Sequence, residues 1–365
     1  MKLIFHKSKE SNKVLVVTYS HDPFCGGTVC SKRNYRALYS VFGIENIEFF
    51  DVAKFSYSNK YNLLNKIFNK ISNFIYGRYI YLGREIENTL MKKTKNVSVV
   101  FINNSIYGLI ARKIKKKNPQ IKIISFFHNV ELDYHKEIFG DKKELILKVF
   151  RSEKMTCKYS DIAIALNLRD AQRIEQIYEK KIDAVIPISF ADKPINFNKG
   201  PISKNLTALF FGSNFPPNTE GVRWFVENVL PFVNIKLQII MKDVDKENLP
   251  KCEDLELFGF VEDLEPYIQN ADILVFPIFK GSGMKVKTCE ALMHGKNIIG
   301  TKEAFEGYDI DCDKAGMCCE TAEEFINAIN VFSEKFTNKF NGYSRNVFLE
   351  KYNDEITLKQ FTELF

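Results

Sequence analysis

The residues with the types and spacing for chemistry concentrate between Phe276 and Gly295, where Gly281-Ser282-Gly283 runs into Met284, Lys285, Lys287 and Glu290. The order is that of a turn feeding a helix that opens at Met284 and stops at Gly295. A glycine turn at a helix start leaves backbone N–H groups unpaired and a partial positive charge facing outward, which suits an anion. Lysines in a first turn oppose the helix dipole, so Lys285 and Lys287 fit an anion better than they fit the helix. Glu290 follows about one and a half turns later at 3.6 residues per turn, placed to accept from a neutral, hydroxyl-rich group beside that anion. Phosphate next to sugar describes a nucleoside diphosphate. The same residues also allow an ordinary surface pair, because Lys287 and Glu290 are three apart.

These residues need strands and helices to hold them, and the flanking sequence supplies them. Apolar, β-branched runs read as buried parallel strands at Lys13 to Tyr19, Val97 to Asn103, Ile121 to Phe127 and Ile162 to Leu166, with a further strand at Asn46 to Val52. Helical segments fall between them, at Ser31 to Ser40, Ile80 to Met91, Ile106 to Lys117, Leu145 to Tyr159 and Asn167 to Tyr178, the last capped by Asn167. The second half repeats the alternation. It has strands at Leu206 to Phe211, Lys236 to Met241, Leu255 to Phe258, Ile273 to Pro277 and Asn297 to Gly300, and a helix at Thr219 to Val229 around the only tryptophan, Trp224. Thr321 to Phe332 and Tyr343 to Phe365 read as amphipathic terminal helices.

The expected class is therefore α/β, with two doubly wound parallel-sheet domains facing across a cleft. The domains are placed at 1–190 and 205–340, with a polar linker at 191–204 and a C-terminal helix, 341–365, packing back on the first domain. In such sheets ligands sit outside the carboxyl ends of the strands. That rule brings in the Gly26-Gly27 pair after the first strand and His128 after Ile121 to Phe127. Gly-Gly permits close backbone approach, although a structural turn and a structural histidine account for these residues as well.

Composition narrows the rest. At 365 residues the chain suggests two domains. It has no apolar run of eighteen residues, so no membrane span is expected. The start breaks too early for an export signal, and the eight cysteines lack zinc-type spacing, so reduced thiols and a cytoplasmic location are expected. The net charge of +7 gathers at Lys113 to Lys117 and Lys142 to Lys158, as a solvated helix face or a surface for anionic membrane. No nucleic-acid module accompanies it. The sequence lacks the GxGxxG dinucleotide fingerprint, which disfavours a nicotinamide enzyme.

Beyond this the order of motifs resembles the GT-B glycosyltransferases, most closely family 4, the retaining enzymes. Phe211-Gly212-Ser213-Asn214, Pro217-Asn218, Val222-Arg223-Trp224-Phe225, Leu257 to Val261, Pro277 to Gly295 and Thr301 to Gly307 carry the resemblance in the second half. Gly26-Gly27, His128-Asn129 and Glu153 followed by Ser160-Asp161 carry it more loosely in the first. The resemblance implies a donor site of Gly26, Gly27, Gly212, Ser213, Asn214, Ser282, Gly283, Met284 and Glu290, with Glu290 on the ribose hydroxyls. His128 would lie near the transferred sugar, and Lys285 and Lys287 would neutralise the diphosphate. The first glutamate of the family's E-x7-E pair falls at Ser282, and the basic residue usual after the first strand of that domain is replaced by Ser213 and Asn214. Both departures fall inside the implied site.

The implied reaction breaks the anomeric bond toward an oxocarbenium-like state, and fixed positive charge stabilises the leaving diphosphate. The acceptor, a hydroxyl of a glycan or lipid-linked glycan, attacks from the same face and gives its proton to the departing phosphate. No cofactor or metal is expected, since the positive residues already cover the phosphates. Two other readings use the same scaffold. One is a nucleotide-sugar epimerase; the other is a non-catalytic, nucleotide-sugar-binding partner subunit, admissible because of Ser282.

Overall fold

The computed structural model describes residues 13–19, 26–54, 83–140, 142–243 and 252–365. They separate into two compact units, one running to Pro187 and regaining Thr357–Phe365, the other comprising Ile188–Ile356.

The first unit is built on a six-stranded parallel sheet in the order β2-β1-β3-β4-β5-β6. Its strands are β1 (Val14–Thr18), β2 (Ile47–Asp51), β3 (Val99–Ile102), β4 (Lys122–Phe127), β5 (Ile162–Ala165) and β6 (Ala184–Val185). Every residue of β1, β3 and β5 is buried, as required of strands covered on both faces. One face packs Leu15, Val17, Val100 and Ile102 against Leu90, Ile110 and Ile114, and further along the same face Phe127 gathers with Val149, Cys157 and Ile174.

Two helix starts differ from expectation. Helix α1 spans Gly26–Phe42, so the Gly-Gly pair forms its first turn instead of preceding it. A helix absent from the sequence reading, α2 (Glu131–Phe139), follows β4. Its own first residues cap nothing; the cap is Glu153, on the later helix α3 (Lys143–Tyr159), whose carboxylate accepts from Glu131 N at 3.1 Å and Leu132 N at 2.9 Å. The expected helix from Ile80 lies partly outside the described residues, and its described part is Arg84–Lys93.

The second unit has strands β7 (Leu206–Gly212), β8 (Ile235–Met241), β9 (Leu255–Phe258), β10 (Ile273–Phe276), β11 (Ile298–Gly300) and β12 (Gly316–Cys318), all parallel in the order β12-β11-β10-β7-β8-β9. The three-residue β12 is too short to show a period, and it went unread in the sequence. A Cβ on Gly316 would stand 1.8 Å from Ile298 O, so this edge closes only with glycine there. The order reverses direction between β7 and β10, a switch point where parallel α/β sheets open a crevice.

The expected continuous C-terminal helix is broken into Gly342–Val347, a π-turn at Phe348–Tyr352, and Asp354–Leu364. The interruption has a local cause. Asn353 is extended and bridges Phe190, with Phe190 N donating to Tyr352 O and Asp354 N to Phe190 O.

Candidate functional site

In the second unit the two strands flanking the switch point end in Gly212-Ser213-Asn214 and in the loop from Pro277 to Lys285. The loop is fixed from outside by helix α4 (Pro216–Asn228). A Cβ on Gly221 would lie 1.9 Å from Pro277 O, so the helix backbone rests on the loop, and Trp224 packs edge-on to Phe279 with ring centroids 4.5 Å apart. Gly281 and Gly283 take φ of 134° and 65°, conformations that L side chains rarely adopt.

Helix α5 spans Val286–Met293, opening two residues later than the sequence suggested, with Lys285 extended at its N-cap and no side chain capping it. Gly295, at φ 59°, ends it. Helix N-termini in general bind anions.

The two lysines differ in their partners. Lys287 Nζ reaches across to the end of β7, donating to Asn218 Oδ1 at 2.7 Å and lying 4.1 Å from the Phe210 ring centroid. Gly212 makes room for it, since a Cβ there would stand 2.9 Å from the amine. Burial, and secondarily the charge of Lys285, lowers the Lys287 pKa to about 7. Lys285 Nζ is matched by Glu303, 2.6 Å from Oε1, and also donates to Gly283 O at 3.2 Å. The Lys285 carbonyl in turn accepts from Tyr308 at 2.7 Å.

Glu290 sits one turn further on without an ion pair or side-chain hydrogen bond among the described residues. Burial raises its pKa to about 7, against the opposing charge of Lys193. A desolvated carboxylate lacking a partner is costly for the fold, and hydroxyl donors from a ligand would offset that cost. The Ser282 hydroxyl is likewise buried without a partner, and Met284 is buried beneath the turn. Ser213 and Asn214 are exposed, with Asn214 Nδ2 donating to Asp243 O at 2.8 Å. The structure thus gathers Gly212, Lys287 and Asn218 in one place, and Gly281 to Lys285 with Glu303 in another along the same loop. Asn218 and Glu303 had not been singled out as site residues; each acts through a lysine distant in sequence, and no local spacing marks them.

The first unit has its own polar set at its strand ends. His128 follows β4; its Nε2 donates to Asn103 O at 3.0 Å, leaving Nδ1 buried without a partner among the described residues. Burial, then the charge of Arg33, pushes its pKa down to about 4, so the imidazole is neutral near pH 7 and Nδ1 can only accept. Asn103 Nδ2 donates to Ser31 Oγ at 2.8 Å, and Ser31 Oγ donates to Gly27 O at 2.7 Å. His128 and the Gly26-Gly27 turn therefore share one hydrogen-bonded chain. The basic helices divide as well. Lys113 pairs with Glu87 and Lys115 with Asp161, whereas Lys116, Lys117 and the α3 residues Arg151, Lys154 and Lys158 are exposed. Among the described residues no helix is long and apolar enough to cross a membrane.

Residues 205–334 match the model of the family described as Glycosyl transferases group 1. A protein described as an uncharacterized 44.6 kDa protein in the cps region of Klebsiella pneumoniae is 24% identical over 275 residues, 69% of this chain and 68% of its own. Anabaena HepE, solved in complex with UDP and glucose, superimposes with a TM-score of 0.66 at 13% identity, over 96% of this chain and 98% of its own. Sucrose-phosphate synthase from Thermosynechococcus elongatus gives 0.69 at 12% identity over the same shares. The two-sheet arrangement is the GT-B fold.

Proposed function

We propose, from the match of residues 205–334 to the group 1 glycosyl transferase model, that the chain moves a sugar from a nucleoside-diphosphate donor to a hydroxyl of a glycan or lipid-linked glycan, with retention at the anomeric carbon. The observation that carries this reading is the pairing, on one helix, of a cation brought to the switch point and a carboxylate with no partner among the described residues: Lys287 against Asn218, and Glu290.

The diphosphate is assigned to Lys287 and the uncapped N-terminus of α5, beside the Gly212 turn with Ser213 and Asn214. The amine of Lys287 arrives from a helix at the strand end where the resemblance implies a basic residue, so a charge stands there although its sequence position differs. As the anomeric bond breaks, negative charge grows on the leaving phosphate, and a fixed donor aimed there contributes roughly 3–4 kcal/mol to the transition state. Glu290 accepts from the ribose hydroxyls. His128, neutral, accepts a hydroxyl hydrogen through Nδ1 and is not a proton donor near pH 7, while Gly26 and Gly27 let backbone approach the ligand. The acceptor proton leaves with the phosphate. These roles call on no metal.

A peripheral contact with the cytoplasmic membrane face is assigned to the α3 stripe of Arg151, Lys154 and Lys158, which recur at i, i+3 and i+7, each worth about 1 kcal/mol near an anionic surface. The test of the main reading is a thermal-shift series of UDP-, GDP-, ADP- and dTDP-sugars, with UDP-glucose first because HepE was solved with UDP and glucose. A ligand at a hundred times its dissociation constant adds about 2.7 kcal/mol of stability. Stabilisation of the parent and not of Glu290→Ala supports the assignment. No shift with any donor refutes it.

A further inference from the structure

The Gly281-Ser282-Gly283 turn has a built floor that the donor assignment above leaves unused. The Lys285–Glu303 pair lies directly beneath it. A Cβ on Gly281 would come 3.3 Å from Lys285 Cε, 3.4 Å from Lys285 Nζ and 3.9 Å from Glu303 Oε1. Lys285 and Glu303 keep 12% and 17% of their side chains exposed, so the pair is desolvated but reachable.

Glu303 does not arrive there by chance of a mobile loop. It lies in the short helix Lys302–Phe305, capped by Thr301 Oγ1. The same hydroxyl donates to Ile278 O, in the loop after β10, and Thr288 Oγ1, on α5, donates to Ala304 O at 2.6 Å. Thr301, Thr288 and Ala304 are all fully buried. The two threonines therefore tie the Glu303 segment to the loop and to the helix that the site is made from.

One residue on from Gly281 in the same turn, the Ser282 hydroxyl is buried with no partner among the described residues. Buried polar groups are nearly always satisfied, so the turn lacks a group able to exchange hydrogen bonds with a hydroxyl. A carboxylate paired with an ammonium, with a spare hydroxyl in the same turn, suits vicinal hydroxyls: one donates to the carboxylate, another pairs with the serine. A phosphate suits it less, because Glu303 would repel it. We propose that Glu303 is the specificity-determining residue for the transferred sugar, accepting from its ring hydroxyls together with Ser282, and that Lys285 is the positioning residue that aims it. This rests on the donor reading above. It also accounts for a neutral residue at 282: the acidic group is supplied from a different loop.

The experiment compares each of UDP, GDP, ADP and dTDP with its own glucose conjugate by calorimetry, on the parent, Glu303→Gln and Ser282→Ala. The expected result is a loss specific to the sugar. Glu303→Gln weakens the conjugate at least tenfold and Ser282→Ala about threefold, as expected for the loss of one charged and one neutral hydrogen bond, while the bare diphosphate stays within twofold or binds tighter to Glu303→Gln as Lys285 is released. Ser282→Ala removes one atom that holds no hydrogen bond among the described residues, so it reports even if Glu303→Gln unfolds. Equal weakening of conjugate and bare diphosphate, or no change in either variant, overturns the proposal. A parent that binds neither class of ligand overturns the donor reading and this inference with it.

Discussion

Replacing Lys287 by Met separates a functional lysine from a structural one. Met keeps an apolar stem against the Phe210 ring and removes the amine that Asn218 and Gly212 accommodate. A hydrogen bond to a charged group is worth about 1.5–3 kcal/mol, so donor affinity should fall roughly ten- to 150-fold at 1.36 kcal/mol per decade. Stability should move the other way. The folded-state pKa of Lys287 lies near 7, below its ordinary 10.5, because burial penalises the charge. The protonated amine therefore opposes folding, fully below pH 7 and progressively less as pH rises toward 10.5. Lys287→Met should raise the melting temperature at pH 6 and gain little at pH 10. Binding carries the complementary signature. Parent affinity should decline above pH 7 as the free lysine loses its proton, and below pH 7 as Glu290, raised to about 7 by burial, gains one. The Met variant should keep only the acid limb. Calorimetric titration across pH 5.5–9 with thermal melts reads both. Loss of stability accompanying the loss of affinity, or an alkaline limb that persists, would refute the reasoning.

Glu290→Gln should remove the acid limb of that profile and, since the buried carboxylate opposes folding above its ordinary pKa, raise the melting temperature at pH 8 but not at pH 4. Gly221→Ala, whose new methyl meets Pro277 O at 1.9 Å, should lower stability by about 1–3 kcal/mol or more and weaken donor binding by moving the loop, which denaturant melts and the same titration measure. Glu153→Gln weakens the cap on α2 and the bond from Tyr178, 2.7 Å away, so the first unit should lose about 1–3 kcal/mol in hydrogen-exchange protection around α2. Lys154→Glu with Lys158→Glu should release the protein from phosphatidylserine vesicles, whereas Lys115→Glu, which breaks a pair with Asp161, should act mainly on stability; co-sedimentation distinguishes them.

Much of the molecule is determined by local sequence. The strands are legible because β-branched runs buried on both faces have no other comfortable conformation, and the alternation with amphipathic helices commits the chain to two parallel sheets. The turn at Gly281 to Gly283, its helix, and Glu290 were readable for a similar reason: φ-positive glycines before a helix leave a local mark. The helix at Glu131 was not, because its cap comes from Glu153, and a cap from elsewhere in the chain leaves no signal at the helix start. Nor was the break at Asn353, which is made by pairing with Phe190. The charges show the limit most clearly. Lys285 and Lys287 are two residues apart and read alike, yet one is matched by Glu303 and the other lies against Asn218 and Phe210. Sequence decides that both cations are present; which one is neutralised, and which carboxylate stays without a partner, depends on side chains that only the folded chain brings within hydrogen-bond reach.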